Sequence, residues 1–350
     1  MTLTLRPDAA RRLRWQAHLL GGSDLDPSAV VARAVAMQGQ DLGAVLRAVA
    51  VRSRPGTTVA DVRAAFDEGV LVRSWPMRGT LFATTPNHLA TLLHFTAERI
   101  HRAAARRRAQ LDLDDAVVGR AREVLGEALA ERPLSRADAL ERLEKAGVST
   151  ADGRGYHVLM HLAVDGLLHW GPFDATGRQQ LLVPSSAAPP EDPEAALGAV
   201  VRGYVAARGP VTEADLAWWT KLPRTVLRRA VAGAGDLGEV SVDGVPAWVV
   251  GDPPAAGPSG VTLVPAFDEW ILGYADRSLV ATPAVLEAIV PGGNGVFRPA
   301  VLVDGVVVGT WRVTRPTRQA PAPVAVELVE QVAARTRRAI DQAVEAWPHG

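Results

Sequence analysis

The 350-residue chain carries 38 basic and 38 acidic residues, so its formal net charge is zero and it is no polycation. It has no cysteine, which excludes disulfides, thiolate nucleophiles and cysteine-ligated zinc. Hydrophobic residues at 48% and charged residues at 22% are the composition of an ordinary globular protein, long enough for several modest domains.

The opening stretch MTLTLRPDAARRLRWQAHLLGG has neither an uninterrupted apolar core nor a signal-like cleavage site. No apolar run approaches the length of a membrane span, so a cytoplasmic location is expected. Residues 28–37 and 41–53 then read as two helices. Between them lies AMQGQD (36–41), in which Gln38 and Gln40 straddle Gly39. In a helix, residues two apart point about 200° from one another. In an extended stretch they share a side. Gly39 offers the backbone freedom for a break in the helix at that point, and Asp41 can cap the helix that follows. Without such a break, the two glutamines are polar residues at a helix end.

Thr58-Val59-Ala60-Asp61 starts a third helix, and two strand-like runs follow, LVRSW (71–75) and TLFATT (80–85). Arg78 stands at the tip of this hairpin, placed either to reach a DNA groove or phosphate or to pack over Trp75. Residues 98–108, ERIHRAAARRR, set Arg99, Arg102, Arg106, Arg107 and Arg108 against the single acid Glu98. Such a run suits a phosphate backbone or a solvated helix face.

The pattern [Ser/Thr]-x-Ala-Asp returns at Ser135 and Thr212, each 77 residues after the copy before it. Each copy can cap a helix with its hydroxyl and place an acid at the positive helix end. Further helices are predicted at 154–165 and 222–233, then hairpins at 167–170/179–183 and 237–242/245–250, the last turned by Asp243-Gly244. Helices followed by a hairpin, three times over, predict an α+β chain of three tandem winged-helix modules: 1–110, 111–190 and 191–252. In the first module the capped helix is the third rather than the first, so the equal spacing is partly coincidental. APPEDP (188–193) and GDPPAAGPSG (251–260) read as linkers. Residues 258–350 form a small C-terminal α+β domain, with strands in VTLVPAF and AVLVDGVVVGTWRV and a terminal helix over roughly 324–346.

Gly233-x-Gly235-x-x-Gly238 has the letters of a dinucleotide fingerprint, yet it follows a helix and leads into a strand, the reverse of the required context. His157, His161 and Asp165 share one helix face, but Val158 stands where a zinc-peptidase motif needs Glu. They read as a polar or partly buried face, and neither metal nor cofactor is expected. Lys145 and Lys221 are the only lysines, which leaves few candidates for Schiff-base chemistry.

MQGQD, SWPMRGTL, GPVTEADLAWW, LVPAFDEWILGYADRS and VDGVVVGTWR, in this order, resemble the AlkZ/YcaQ-type winged-helix DNA glycosylases over most of the chain, and Gln-Gly-Gln is similar to the Gln-x-Gln branch. The resemblance implies a monofunctional glycosylase that hydrolyses the N-glycosidic bond of alkylated purines in double-stranded DNA. Its expected lesions are N7-alkylguanine, N3-alkyladenine and bulky or crosslinked adducts. It also implies Gln38 and Gln40 as catalytic residues, Asp41 as an auxiliary, and Arg78, Arg99, Arg102, Arg106, Arg107 and Arg108 as DNA contacts. The modules would form a C-shaped basic surface in a monomer. Gly39 departs from the Ala or aliphatic residue usual in the family, and Phe82 from a common His. A non-enzymatic winged-helix DNA-binding protein and a protein-binding scaffold are the competing readings.

Overall fold

The computed structural model describes residues 3–251, 260–314 and 324–347; most of the predicted second linker lies outside them. In chain order the first elements are β1 (Leu3–Leu5), α1 (Pro7–Ala17), α2 (Pro27–Ala34), β2 (Ala36–Gln38), α3 (Leu42–Ala50), α4 (Val59–Asp67), β3 (Val72–Met77), β4 (Thr80–Thr84) and α5 (Pro86–Gln110). Then come α6 (Asp115–Glu131), α7 (Arg136–Lys145), α8 (Arg154–Val164), β5 (Leu168–Phe173) and β6 (Gln180–Pro184). The third group is α9 (Pro193–Arg208), α10 (Glu213–Thr220), α11 (Arg224–Ala232), β7 (Leu237–Val242) and β8 (Val245–Val250). The chain closes with β9 (Val261–Val264), α12 (Glu269–Leu272), α13 (Pro283–Ile289), β10 (Ala300–Val303), β11 (Val306–Val313), β12 (Val324–Leu328) and α14 (Ala334–Ala346).

The local signals act as their chemistry dictates. Thr58, Ser135 and Thr212 each accept from the N3 backbone N–H while the N3 aspartate reaches back to the cap, so all three repeats are complete capping boxes. Asp243 and Asp304 adopt positive φ beside Gly244 and Gly305, turning the last two hairpins. Helix α11 is C-capped by Gly233 and leads into β7, the helix-then-strand order on which the dinucleotide reading was rejected. One expectation is corrected at the C-terminus. Residues 324–328 are a strand that pairs with β11, and the terminal helix starts only at Ala334. The apolar alternation of Val324 and Val326 suits a sheet edge better than a helix start.

The hairpins are not independent of each other. β2, β4, β3, β5 and β6 form one sheet in that order, so the first two hairpins join, with Arg73 opposite Trp170. β1 runs parallel to β7 in a second sheet with β8, which ties the chain's start to the third hairpin. β9 to β12 make a third, antiparallel sheet. One core cluster brings Val35, Ala36 and Phe82 of the first segment against Tyr204, Leu216 and Trp219 of the third. The strand carrying Gln38 therefore rests on residues far along the chain. Among the described residues, no helix is long and apolar enough to cross a membrane.

Candidate active site

The expected helix break occurs, but not at Gly39. Helix α2 stops at Val35, a β-branched residue held at φ +66, and the chain passes directly into β2. Arg208 supplies the reason. Its guanidinium donates to the carbonyls of Ala34 (3.0 Å) and Ala36 (2.9 Å), on either side of the break. Thr84 donates to Val35 O at 2.7 Å. Carbonyls that would have continued a helical ladder are thus taken by groups from elsewhere.

Gly39 has another task. Its N–H donates to Leu81 O at 2.7 Å, and its carbonyl accepts from Arg73 Nε at 2.6 Å. A Cβ built there would stand 3.0 Å from Ala83 N and 3.2 Å from the Phe82 carbonyl carbon, both backbone atoms of β4. Gly39 thus stands where the backbone of β4 approaches closely. Replacing Gly39 by Ala is expected to cost about 1–3 kcal/mol of stability, because β4 is fixed by pairing on both sides. Thermal unfolding checks this; a Gly39→Ala protein as stable as the parent would show that β4 can yield.

The two amides line neighbouring recesses instead of sharing one pocket. Gln38 is buried and lines a recess with Arg78, Thr80, Trp218, Lys221, Phe267, Leu272, Arg277 and Phe297. The Thr80 hydroxyl lies 3.4 Å from either end of the Gln38 amide and can donate to its oxygen or accept from its nitrogen. Gln40 is exposed and lines the neighbouring recess with Asp41, Arg73, Trp75, Arg136, Tyr156, Arg178 and Phe267. Its amide oxygen accepts from Leu81 N at 3.3 Å, which leaves a second lone pair available. Phe267 is common to both recesses. Asp41 accepts from Ala44 N at 2.9 Å, so it serves as the N-cap of α3.

Burial lowers the Arg73 pKa to about 10, partly opposed by the nearby Asp41 carboxylate, so the guanidinium remains charged at neutral pH. Arg78, at φ +56 on the hairpin tip, folds back over the rings of Phe82 (5.1 Å) and Trp218 (5.9 Å) and donates to Leu272 O at 3.4 Å. It packs inward as one of the two readings had it, but on Phe82 and Trp218 rather than Trp75. Phe82 itself is fully buried and meets Trp219 edge-on at 6.4 Å.

A third recess, between the hairpin and α5, is lined by Arg78, Arg99, Ile100, Arg107, Tyr156, His157 and Lys221. Arg102, Arg106 and Arg108 do not line it. Arg102 pairs with Glu98, and Arg108 pairs with Asp115 at 2.9 Å. The three recesses adjoin through Phe267, Tyr156, Arg78 and Lys221. Around them cationic groups far outnumber the acids Asp41 and Glu287, so the net-neutral chain concentrates positive charge on this face.

His161 and Asp165 do meet, joined by His101 rather than His157, with their ligand atoms within 4.8 Å of one another. The Asp165 carboxylate is engaged by both His101 (2.7 Å) and Arg122.

Sequence reasoning missed the groups that hold β2. Glu269 is 3% exposed, yet its carboxylate accepts from Gln38 N (3.0 Å), Arg208 Nε and Nη2 (3.1 and 2.8 Å) and Trp219 Nε1 (3.0 Å). The preceding Asp268 takes a bidentate contact from Arg52 at 2.9 and 2.8 Å. The available signal was the pair Asp268-Glu269 inside the apolar run VPAFDEWILGY, since acids in such a run must find buried partners.

The family described as DNA glycosylase AlkZ-like matches residues 31–349. The interstrand DNA cross-link repair glycosylase of Streptomyces sahachiroi is 28% identical over 323 residues, covering 82% of this chain and 82% of that protein. The solved structure of Streptomyces sahachiroi DNA glycosylase AlkZ has the same fold, with a TM-score of 0.78 at 23% identity over 97% of this chain and 95% of that one. The family match spans far more than half of the sequence, and the chain belongs to the AlkZ-like DNA glycosylase family and is an enzyme of that kind.

Proposed function

We propose that the protein is a monofunctional DNA-repair glycosylase that hydrolyses the N-glycosidic bond of N7-alkylguanine, N3-alkyladenine and bulkier or crosslinked purine adducts in duplex DNA. The relative named for interstrand cross-link repair supports the last of these classes. In this reading the three helix–hairpin units are winged-helix modules, arranged as a concave, C-shaped surface, with the C-terminal domain as their support. The protein acts as a monomer without a cofactor. Arg78, Arg99 and Arg107 meet phosphates at the third recess, and Arg102, Arg106 and Arg108 extend that contact along α5. Lys221, seated 3.7 Å from the Trp218 ring centroid, adds charge beside them.

The observation that carries this reading is the placement of two neutral amides at a basic face, Gln38 at the end of a strand fixed by a buried ion pair and Gln40 two residues beyond it. An N7-alkylguanine already bears a positive charge. Its bond to C1′ breaks with the electron pair moving to N9, which neutralises the base without a general acid. What the enzyme must supply is a placed water and stabilisation of the electron-poor sugar. Gln38 and Gln40 offer amide oxygens for both tasks. The water oxygen bonds to C1′ and its proton passes to solvent. Asp41 remains with α3 as its cap.

The test is base release from duplexes containing N7-methylguanine or a nitrogen-mustard crosslink, followed by detection of abasic sites. Gln38→Ala and Gln40→Ala are each expected to slow release by about a hundredfold or more. DNA binding without release from any alkylated duplex would overturn the reading.

A further inference from the structure

Phe267 stands out for its backbone conformation. It holds φ +57, a left-handed conformation that a bulky side chain avoids and that Gly or Asn would adopt more easily. The chain keeps it there by anchoring both following residues: Asp268 to Arg52, and Glu269 to Arg208, Trp219 and Gln38 N. Its own N–H donates to Phe297 O at 3.3 Å, and the two rings lie 6.2 Å apart at a tilt of 50°. The side chain is only half-buried and forms part of both the Gln38 and the Gln40 recess. Strained backbone held by its surroundings gathers at functional sites.

We infer that Phe267 is a lesion-recognition residue, presenting its ring to the face of the damaged purine between Gln38 and Gln40. This rests on the assignment of those two glutamines to the reacting sugar. An aromatic face attracts a cation, and an N7- or N3-alkylated purine is a cation whereas an intact purine is neutral. Stacking by itself accepts every base; stacking plus charge attraction favours the alkylated one. The ring thus selects lesions by their charge, independently of the size of the alkyl group. That matches a site meant for both small and bulky adducts.

The experiment measures equilibrium binding to two duplexes, one intact and one with a single N7-methylguanine whose 2′-fluoro sugar resists cleavage. Phe267→Asn removes the ring but tolerates the left-handed backbone, and Phe267→Tyr keeps the ring. Phe267→Asn is expected to lose about tenfold of the preference for the alkylated duplex, with binding to intact DNA little changed. Phe267→Tyr should restore the preference. Thermal unfolding of Phe267→Asn and of Phe267→Gly separates this from a packing role. Relief of strain should hold the melting temperature at or above the parent value in at least one of them. The inference falls if Phe267→Asn keeps the parental preference, if both duplexes lose affinity equally, or if both ring-less variants melt well below the parent. Should Gln38→Ala and Gln40→Ala release bases at the parental rate, the site assignment fails instead. If those two lose release and only the Phe267 preference is unaltered, this inference alone is wrong.

Discussion

Replacing Glu269 by alanine is expected to destabilise the protein by about 3–5 kcal/mol, because it leaves the Arg208 guanidinium buried without its counter-ion. Arg208 and Glu269 have side chains only 1% and 3% exposed, so water cannot take over the lost contacts. The change also frees Gln38 N and Trp219 Nε1, two further donors without a partner. Glu269→Gln keeps an acceptor for part of this set and is expected to lose less. The consequence for catalysis follows from geometry. Arg208 holds Ala34 O at the end of α2 and Ala36 O in β2, and Glu269 holds Gln38 N, so losing the pair unfastens the strand that carries Gln38 and leads into Gln40. Denaturant unfolding gives the stability loss. Base release at a temperature where the variant is still folded gives the positional one. An alanine variant as stable and as active as the parent would show that this pair does not hold the site.

A comparable loss, again about 3–5 kcal/mol, is expected for Asp268→Ala. Here Arg52 is stranded; its side chain is 4% exposed, and that of Asp268 is fully buried. The same carboxylate accepts from Trp270 N at 2.9 Å, so the cap of α12 goes with it. Changing both partners to apolar residues, Arg52→Met with Asp268→Leu, should recover much of the stability, since no lone charge remains. A double variant less stable than Asp268→Ala by itself would contradict this account. Urea unfolding of the parent, the single and the double variant decides it.

The parts of the fold that could be read in advance were those set by neighbours in sequence. Thr58, Ser135 and Thr212 cap helices because hydroxyl and N3 acid lie three residues apart, and Asp243-Gly244 turns a hairpin through its own dihedral preferences. The third hairpin accordingly falls on its predicted residues, 237–242 and 245–250. Less legible was the stretch at 324, where apolar residues suit a helix or a strand and the partner strand β11 decides. The joining of the first two hairpins into one sheet had no local signal either, since it depends on Arg73 and Trp170 meeting across nearly a hundred residues.

The candidate site divides in the same way. MQGQD was one of five motifs that together carried the family resemblance, and helical geometry set a condition on it: the glutamines can work together only if the helix breaks. Where it breaks was beyond local reasoning. Gly39 was the natural choice from its own flexibility. The break falls instead at Val35, because Arg208, 172 and 174 residues further along, takes the carbonyls on either side. Gly39 instead suits the close approach of β4, whose backbone a Cβ would crowd. Local chemistry thus determined which residues cap, turn and offer amides to a substrate. Long-range burial of charge decided how β2 is held and which ring lines both recesses, because a buried ion pair exists only once distant segments have excluded water around it.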